Sequence, residues 1–176
     1  MNLVNLKLGE AQYFIEQNHR HSEPLKRHKF SIGVCNDDYN ELYGVLTVDV
    51  PSGRWKNPRD KIEIRRVCTL PNQKNVASFL IGKAVTACFA MGYKEILTYT
   101  RPHESGSTLK ACGFSLNHAS KIKVVDGTEV TGLLCWYKKS KTQQTSRNTY
   151  KYLDHLKEFL QQNLKGDKYD ISNGSR

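Results

Sequence analysis

The sequence is poor in several things at once. No apolar run approaches the roughly 20 residues that a membrane-spanning helix needs, which excludes a helical integral membrane protein. The five cysteines, Cys35, Cys68, Cys88, Cys112 and Cys135, contain no C-x-x-C pair. Their odd number and wide spacing argue against a disulfide framework or a zinc ribbon. Several lie inside apolar runs (VCT, ACF, LLCWY), where cysteine serves as a small core residue. Reduced, buried thiols are therefore expected, and no local motif singles out a nucleophile. The opening MNLVNLKLGEAQYF lacks a basic segment followed by an apolar one, so a secretory signal is not expected and the chain reads as cytoplasmic. Acidic residues are scarce as well. The 17 Asp+Glu against 27 Lys+Arg leave a formal charge of +10, which points to an anionic partner without saying which.

What remains is ordinary for a globular chain. Of 176 residues, 38% are apolar and 10% aromatic, enough for one compact domain with a short appendage. Helical spacing of Leu8, Ala11, Phe14 and Ile15 predicts a first helix over Leu8–Asn18. Phe30–Cys35 and Leu42–Val50 read as a hairpin across NDDYN. Lys61–Thr69 alternates through Ile62, Ile64, Arg66 and Cys68 as a strand. Val76–Met91 predicts a helix with Val76, Leu80, Ala84, Ala87, Cys88 and Met91 on one face, stopped at Gly92. A strand over Lys94–Thr100 and a short helix over Ser107–Cys112 follow. Phe114–Leu116, Lys121–Val125 and Glu129–Lys138 complete the strands. KSKTQQTSRNT is a polar linker candidate, and Tyr150–Leu164 regains helical spacing. Consecutive strands at both ends predict a mixed α+β sheet rather than a doubly wound one.

The central strand–loop–helix carries the chemistry. The first N–H groups of a helix lack internal partners and carry the positive end of its dipole, so they bind phosphate readily. Asn72, Gln73, Lys74, Asn75 and Ser78 surround such a terminus. Lys74 adds a full charge. Asn75 either caps the helix or contacts a ligand.

The segments RRVCT, NQKNVASFLIGKAVTACFAMGYKEILTYT and GSTLKACGF resemble the core of the GNAT N-acyltransferase superfamily, over roughly residues 1–138. The resemblance implies a mostly antiparallel sheet with a splayed strand pair flanked by helices, as one domain over 1–139. A basic linker and C-terminal helix would occupy 140–176. It implies an acyl donor, acetyl-CoA or another acyl-CoA, held by Val67, Cys68, Thr69, Asn72, Lys74, Asn75, Val76, Ala77, Ser78, Ser105 and Gly106. Against the usual loop pattern Gln/Arg-x-x-Gly-x-Gly/Ala, this chain has Asn72-x-x-Asn75-x-Ala77, without the first glycine. Leu109 stands where many relatives carry a tyrosine acid. Arg66 followed by Asn75, Ser78, Leu80, Ile81 and Gly82 is similar to phage Mom-type DNA modification proteins. HRH…HKFSIGV and ESGSTLKACGF resemble a small GNAT-like group of phages and prophages, which would place the chain in a bacterial host cell.

Candidate catalytic residues are His19, His21, Arg66, Ser78 and Tyr99. His19, His21 and His28 fall among Arg20, Lys26, Arg27 and Lys29. They serve an acceptor site as general bases, form a solvated loop, or bind metal; no Cys or carboxylate completes a standard zinc site, so no metal is expected. An arginine on an interior strand needs an anion or a carboxylate. Strand alternation places Arg65 and Arg66 on opposite faces, with Glu63 a candidate ion-pair partner for Arg66. Half of the net charge lies from Lys138 onward, and more at Arg54, Lys56 and Arg59, interleaved with Tyr39 and Trp55. These basic stretches make DNA a candidate partner. Three functions follow: an acyl-CoA-dependent N-acyltransferase, a Mom-like adenine-modifying enzyme, or a non-catalytic scaffold binding nucleic acid or a host protein.

Overall fold

Alternating side chains along the strands give the sheet two apolar faces, and each face is covered by a helix. The computed structural model describes residues 1–18, 25–51, 58–119, 123–125, 128–130 and 132–140. The elements are β1 (Asn2–Leu6), α1 (Leu8–Asn18), β2 (Phe30–Cys35), β3 (Leu42–Asp49), β4 (Lys61–Thr69), α2 (Val76–Ala90), β5 (Glu95–Thr100), α3 (Ser107–Ala111), β6 (Ser115–Ala119), β7 (Lys123–Val125), β8 (Thr128–Val130) and β9 (Leu134–Lys139). Seven strands form one sheet in the order β1-β2-β3-β4-β5-β9-β6, and β7 pairs with β8 separately. Within the seven-stranded sheet every neighbouring pair is antiparallel except β4–β5, which is parallel. A parallel pair needs a crossover, and α2 supplies it.

The two faces separate by residue parity. Ile32, Val34, Leu46, Val48, Ile62 and Ile64 pack with Val76, Leu80, Ile81, Ala84, Val85 and Cys88 of α2. Val45 and Cys68 pack with Leu6 and with Ala11, Phe14 and Ile15 of α1 on the other face. Each fully buried aliphatic side chain contributes about 1.5–3 kcal/mol. The apolar face of α2 turns further than expected: Ile81 and Val85 are buried, whereas Met91 is 56% exposed beyond the helix end. The predicted stop at Gly92 is present. Its φ is +91°, and its N–H donates to the Phe89 carbonyl.

Two differences from expectation have simple causes. NLVNL, five residues ahead of the first helix, forms β1 by pairing with β2, because its alternating burial uses the free edge of that strand. The expected strand over Glu129–Lys138 is divided into β8 and β9 around Gly132 and Leu133. All five cysteines are free thiols; four are buried and Cys112 is half-buried. Residues Met1–Ser140 form one compact unit. The linker and helix expected after 140, like His19, His21, Arg54, Trp55 and Lys56, lie outside the described residues.

Candidate active site

The site begins where two strands part. Pairing between β4 and β5 runs from Lys61 opposite Glu95 to Ile64 opposite Thr98, and ends there. Yet β4 continues to Thr69 and β5 to Thr100. The buried Thr98 hydroxyl donates to the Ile64 carbonyl at 3.1 Å, at the last paired position. Beyond it opens a cleft of about 790 Å³, lined by the diverging strands, the first turn of α2, the loop after β5 and α3.

A β-bulge sits at the branch. Thr47 of β3 pairs with Arg66, while the next residue, Val48, pairs with Ile64. Arg65 is therefore the extra residue, and parity changes across it. Ile62 and Ile64 face α2 before the bulge, and Val67 packs on that same core after it. Cys68 now faces α1. The expectation that Arg65 and Arg66 lie on opposite faces is thus corrected: both line the cleft. The alternative that Arg66 forms an ion pair with Glu63 is not found either. Glu63 instead pairs with Arg65, Nη1 to Oε1 at 3.1 Å, with the carboxylate only 6% exposed. Arg66 Nη1 donates to the Arg65 carbonyl at 2.8 Å. Its Nε is buried without a hydrogen-bond partner. Burial, then the neighbouring Arg65 charge, lowers the Arg66 pKa, and Glu63 opposes both.

The loop before α2 keeps a glycine-like backbone without glycine. Asn72 has φ 63° and Asn75 φ 65°, both left-handed. Asparagine is among the residues that best tolerate this region. Asn75 occupies the N-cap position of α2 but forms no side-chain cap hydrogen bond. Its carbonyl instead accepts from the Ser78 hydroxyl at 2.9 Å and from the Phe79 N–H at 2.9 Å. Ser78 is therefore engaged with its own turn. The first-turn N–H groups lack intrahelical partners, and the Asn75 side chain does not take one.

Of the sequence-predicted residues, the cleft brings together Arg66, Val67, Ala77, Tyr99, Ser105 and Gly106. Asn72, Lys74 and Asn75 are exposed on the loop before α2, outside the lining. The Cys68 and Val76 side chains are buried in the core, 4% and 1% exposed, and neither they nor Thr69 and Ser78 line the cleft. His28 is separate too, its Nδ1 2.6 Å from the Ser31 hydroxyl. Arg27, expected in a basic loop, pairs with the buried Asp49 at 3.1 Å.

Tyr99 faces Cys135 across the β5–β9 ladder. Burial, then Cys135, raises the phenol pKa; Glu63 adds to this and Arg65 opposes it. Tyr99 therefore holds its proton at neutral pH. Gly106 has φ +62°, and an added Cβ would come within 2.3 Å of the Trp136 ring. The Trp136 Nε1–H donates to the Thr100 hydroxyl at 2.9 Å, tying the end of β5 to β9. Sequence reasoning missed Glu63 and Thr98 as site residues. Both are buried polar groups on strands, 5% and 6% exposed, and only their place at the branch makes them part of the cleft. Among the described residues no cluster of His, Cys, Asp and Glu could hold a metal ion, and no helix is long and apolar enough to cross a membrane.

No protein-family model matches the chain, and no curated protein matches it in sequence. Solved structures do match. A Bacillus subtilis acetyltransferase in complex with CoA shares 15% identity at a TM-score of 0.58, covering 79% of this chain and 97% of that one. Spermidine N-acetyltransferase from Vibrio cholerae shares 16% identity at 0.61, covering 83% and 99%. An N-acetyltransferase from Staphylococcus aureus shares 12% at 0.61, covering 78% and 97%. The chain therefore has the mixed α+β fold of the GNAT N-acetyltransferases.

Proposed function

We propose that this protein is an N-acyltransferase that takes an acyl group from a coenzyme A thioester and gives it to an amine. The observation that carries the reading is the branch of β4 from β5 beside the start of α2. Past Ile64, β4 has no strand on its β5 side, so its backbone groups there can pair with the amides of an extended pantetheine arm. The first-turn N–H groups of α2 and the nearby Lys74 suit a pyrophosphate. Asn75 keeps that turn open through its left-handed backbone. The residues present therefore fit such a donor, and the B. subtilis structure of the same fold holds CoA.

When bound, the donor supplies a thioester carbonyl open to nucleophilic attack. Glu63, the buried carboxylate at the branch, accepts the proton that the attacking amine loses, held in place by Arg65. Tyr99, kept protonated, donates a hydrogen bond to the charge that develops as the carbon–sulfur bond breaks. The nitrogen–carbon bond forms as the carbon–sulfur bond breaks, and the departing thiolate takes a proton from water while Glu63 returns its own to solvent, so the products are an amide and a free thiol.

The test is direct. Calorimetric titration with acetyl-CoA should show binding, and incubation with an amine panel should release thiol. Glu63→Gln and Tyr99→Phe should each lower kcat by about 10²-fold with little change in donor affinity. Absence of acetyl-CoA binding at millimolar concentration would overturn the reading.

A further inference from the structure

The two arginines at the bulge are not equivalent. Arg65 is neutralised by Glu63 at 3.1 Å. Arg66, directly beside it, forms no ion pair among the described residues, and its Nη1 donates to a neutral carbonyl. The Nε of each is buried without a hydrogen-bond partner, so the two differ in ion pairing alone. A half-buried guanidinium without a directly paired counter-charge is costly; Glu63 relieves part of that cost through space, and an arriving anion would relieve more. The bulge sets where that anion would lie. Glu63 precedes it on the face opposite Ile62 and Ile64, which pack on α2. Cys68 follows it on the α1 face. Arg66 shares the parity of Cys68 and so points away from α2, the helix whose N-terminus suits the donor. The unpaired cation faces the acceptor side of the branch.

Resting on the acyltransferase reading, we propose that the acceptor is an amine that itself carries an acidic group, a carboxylate or a phosphate, and that Arg66 binds this group. The guanidinium fork suits both anions, because each offers two oxygens to parallel N–H donors. Arg65 does not compete, since Glu63 occupies its charge. A plain polyamine would bring only positive charge to a site that already holds an unpaired cation, so it is disfavoured.

The experiment uses the full chain and matched ligand pairs. One arm compares β-alanine with propylamine, and a second compares O-phosphoethanolamine with ethanolamine. Each is titrated calorimetrically into wild type, Arg66→Gln and Arg66→Lys, alongside acetyl-CoA. The anionic member of at least one pair should bind roughly tenfold to hundredfold more tightly than its partner in wild type. The arm in which this occurs distinguishes carboxylate from phosphate. The preference should vanish in Arg66→Gln and survive in part in Arg66→Lys, with acetyl-CoA affinity unchanged within about twofold. Equal binding of both members in both arms would overturn the proposal, as would loss of acetyl-CoA affinity in Arg66→Gln with the anion preference intact. The wild-type comparison decides even where a variant fails to fold. A protein that prefers the anionic ligand yet does not bind acetyl-CoA would sink the acyltransferase reading alone.

Discussion

The two faces of β4 contrast sharply. Toward α2, the strand presents Ile62, Ile64 and Val67 to an apolar core. On the other side, it carries Glu63, Arg65 and Arg66 at the mouth of a cleft, and only Cys68 joins the small core under α1. The difference shows how one strand serves stability and chemistry together. The extra residue at Arg65 gathers charge at the branch, and the change of parity returns Val67 to the core. Arg65 and Arg66 are tolerated there because pairing with β5 has ended and the cleft admits solvent or ligand, and Glu63, still within the paired stretch, is tolerated through its ion pair with Arg65.

The largest expected effect tests the packed face. Leu80 of α2 is fully buried against the sheet, so Leu80→Ala should cost about 2–5 kcal/mol in chemical denaturation. A loss under 1 kcal/mol would mean that α2 is not held as described. Next comes the charged face. Arg65→Gln removes the guanidinium that lies 3.1 Å from the Glu63 carboxylate, which is 6% exposed. It should cost roughly 1–3 kcal/mol, below the range for fully buried pairs because Arg65 is 23% exposed. An unchanged denaturation midpoint would show that the pair does not hold the branch.

The third prediction uses pH to compare the cores. Burial pushes the Cys88 thiol up from 9.0 to about 12, and the Cys68 thiol under α1 to about 11. Raised thiol pKa values favour the folded state while the unfolded chain would also stay protonated, that is, below pH 9. As pH rises from 9 toward 12, the unfolded chain loses the proton first, and stability should fall by about 1.4 kcal/mol per pH unit for each such thiol. Cys88→Ala should flatten that decline between pH 9 and 10.5, measured as unfolding free energy against pH, and an unaltered slope would contradict the burial of Cys88. The smallest effect concerns the loop. At Asn75, with φ 65°, Asn75→Gly should be neutral or stabilise by up to about 1 kcal/mol, whereas Asn75→Ala should destabilise by about 1 kcal/mol. The reverse order in thermal melts would refute the left-handed turn.

Much of this was legible in the sequence. Helical spacing marked α1 and α2, and short apolar runs marked β2, β3 and β5, because burial on one face imposes a period on the chain. The glycine stop at Gly92 was legible for the same local reason. β1 was not, since a five-residue segment is a strand only through its partner, β2. In the site, Arg66, Tyr99, Ala77, Ser105 and Gly106 were found from motif resemblance and now line one cleft. The facing of Arg65 was misjudged, because alternation is a local rule and a bulge is a property of a strand pair. Asn75 illustrates the same limit. Its identity departs from the glycine of the usual loop, yet its backbone adopts a conformation open to glycine.

By itself the sequence determined the charge of +10, the order of most of the helices and strands, and the presence of Arg65 and Arg66 within an interior strand. Those follow from composition and from periodicities of two and 3.6 residues, which each segment carries alone. The tertiary structure decided where β4 and β5 part, which arginine Glu63 neutralises and which is left facing the cleft. Register and ion pairing join residues distant in the chain or across a bulge, and their energies exist only once the sheet has assembled.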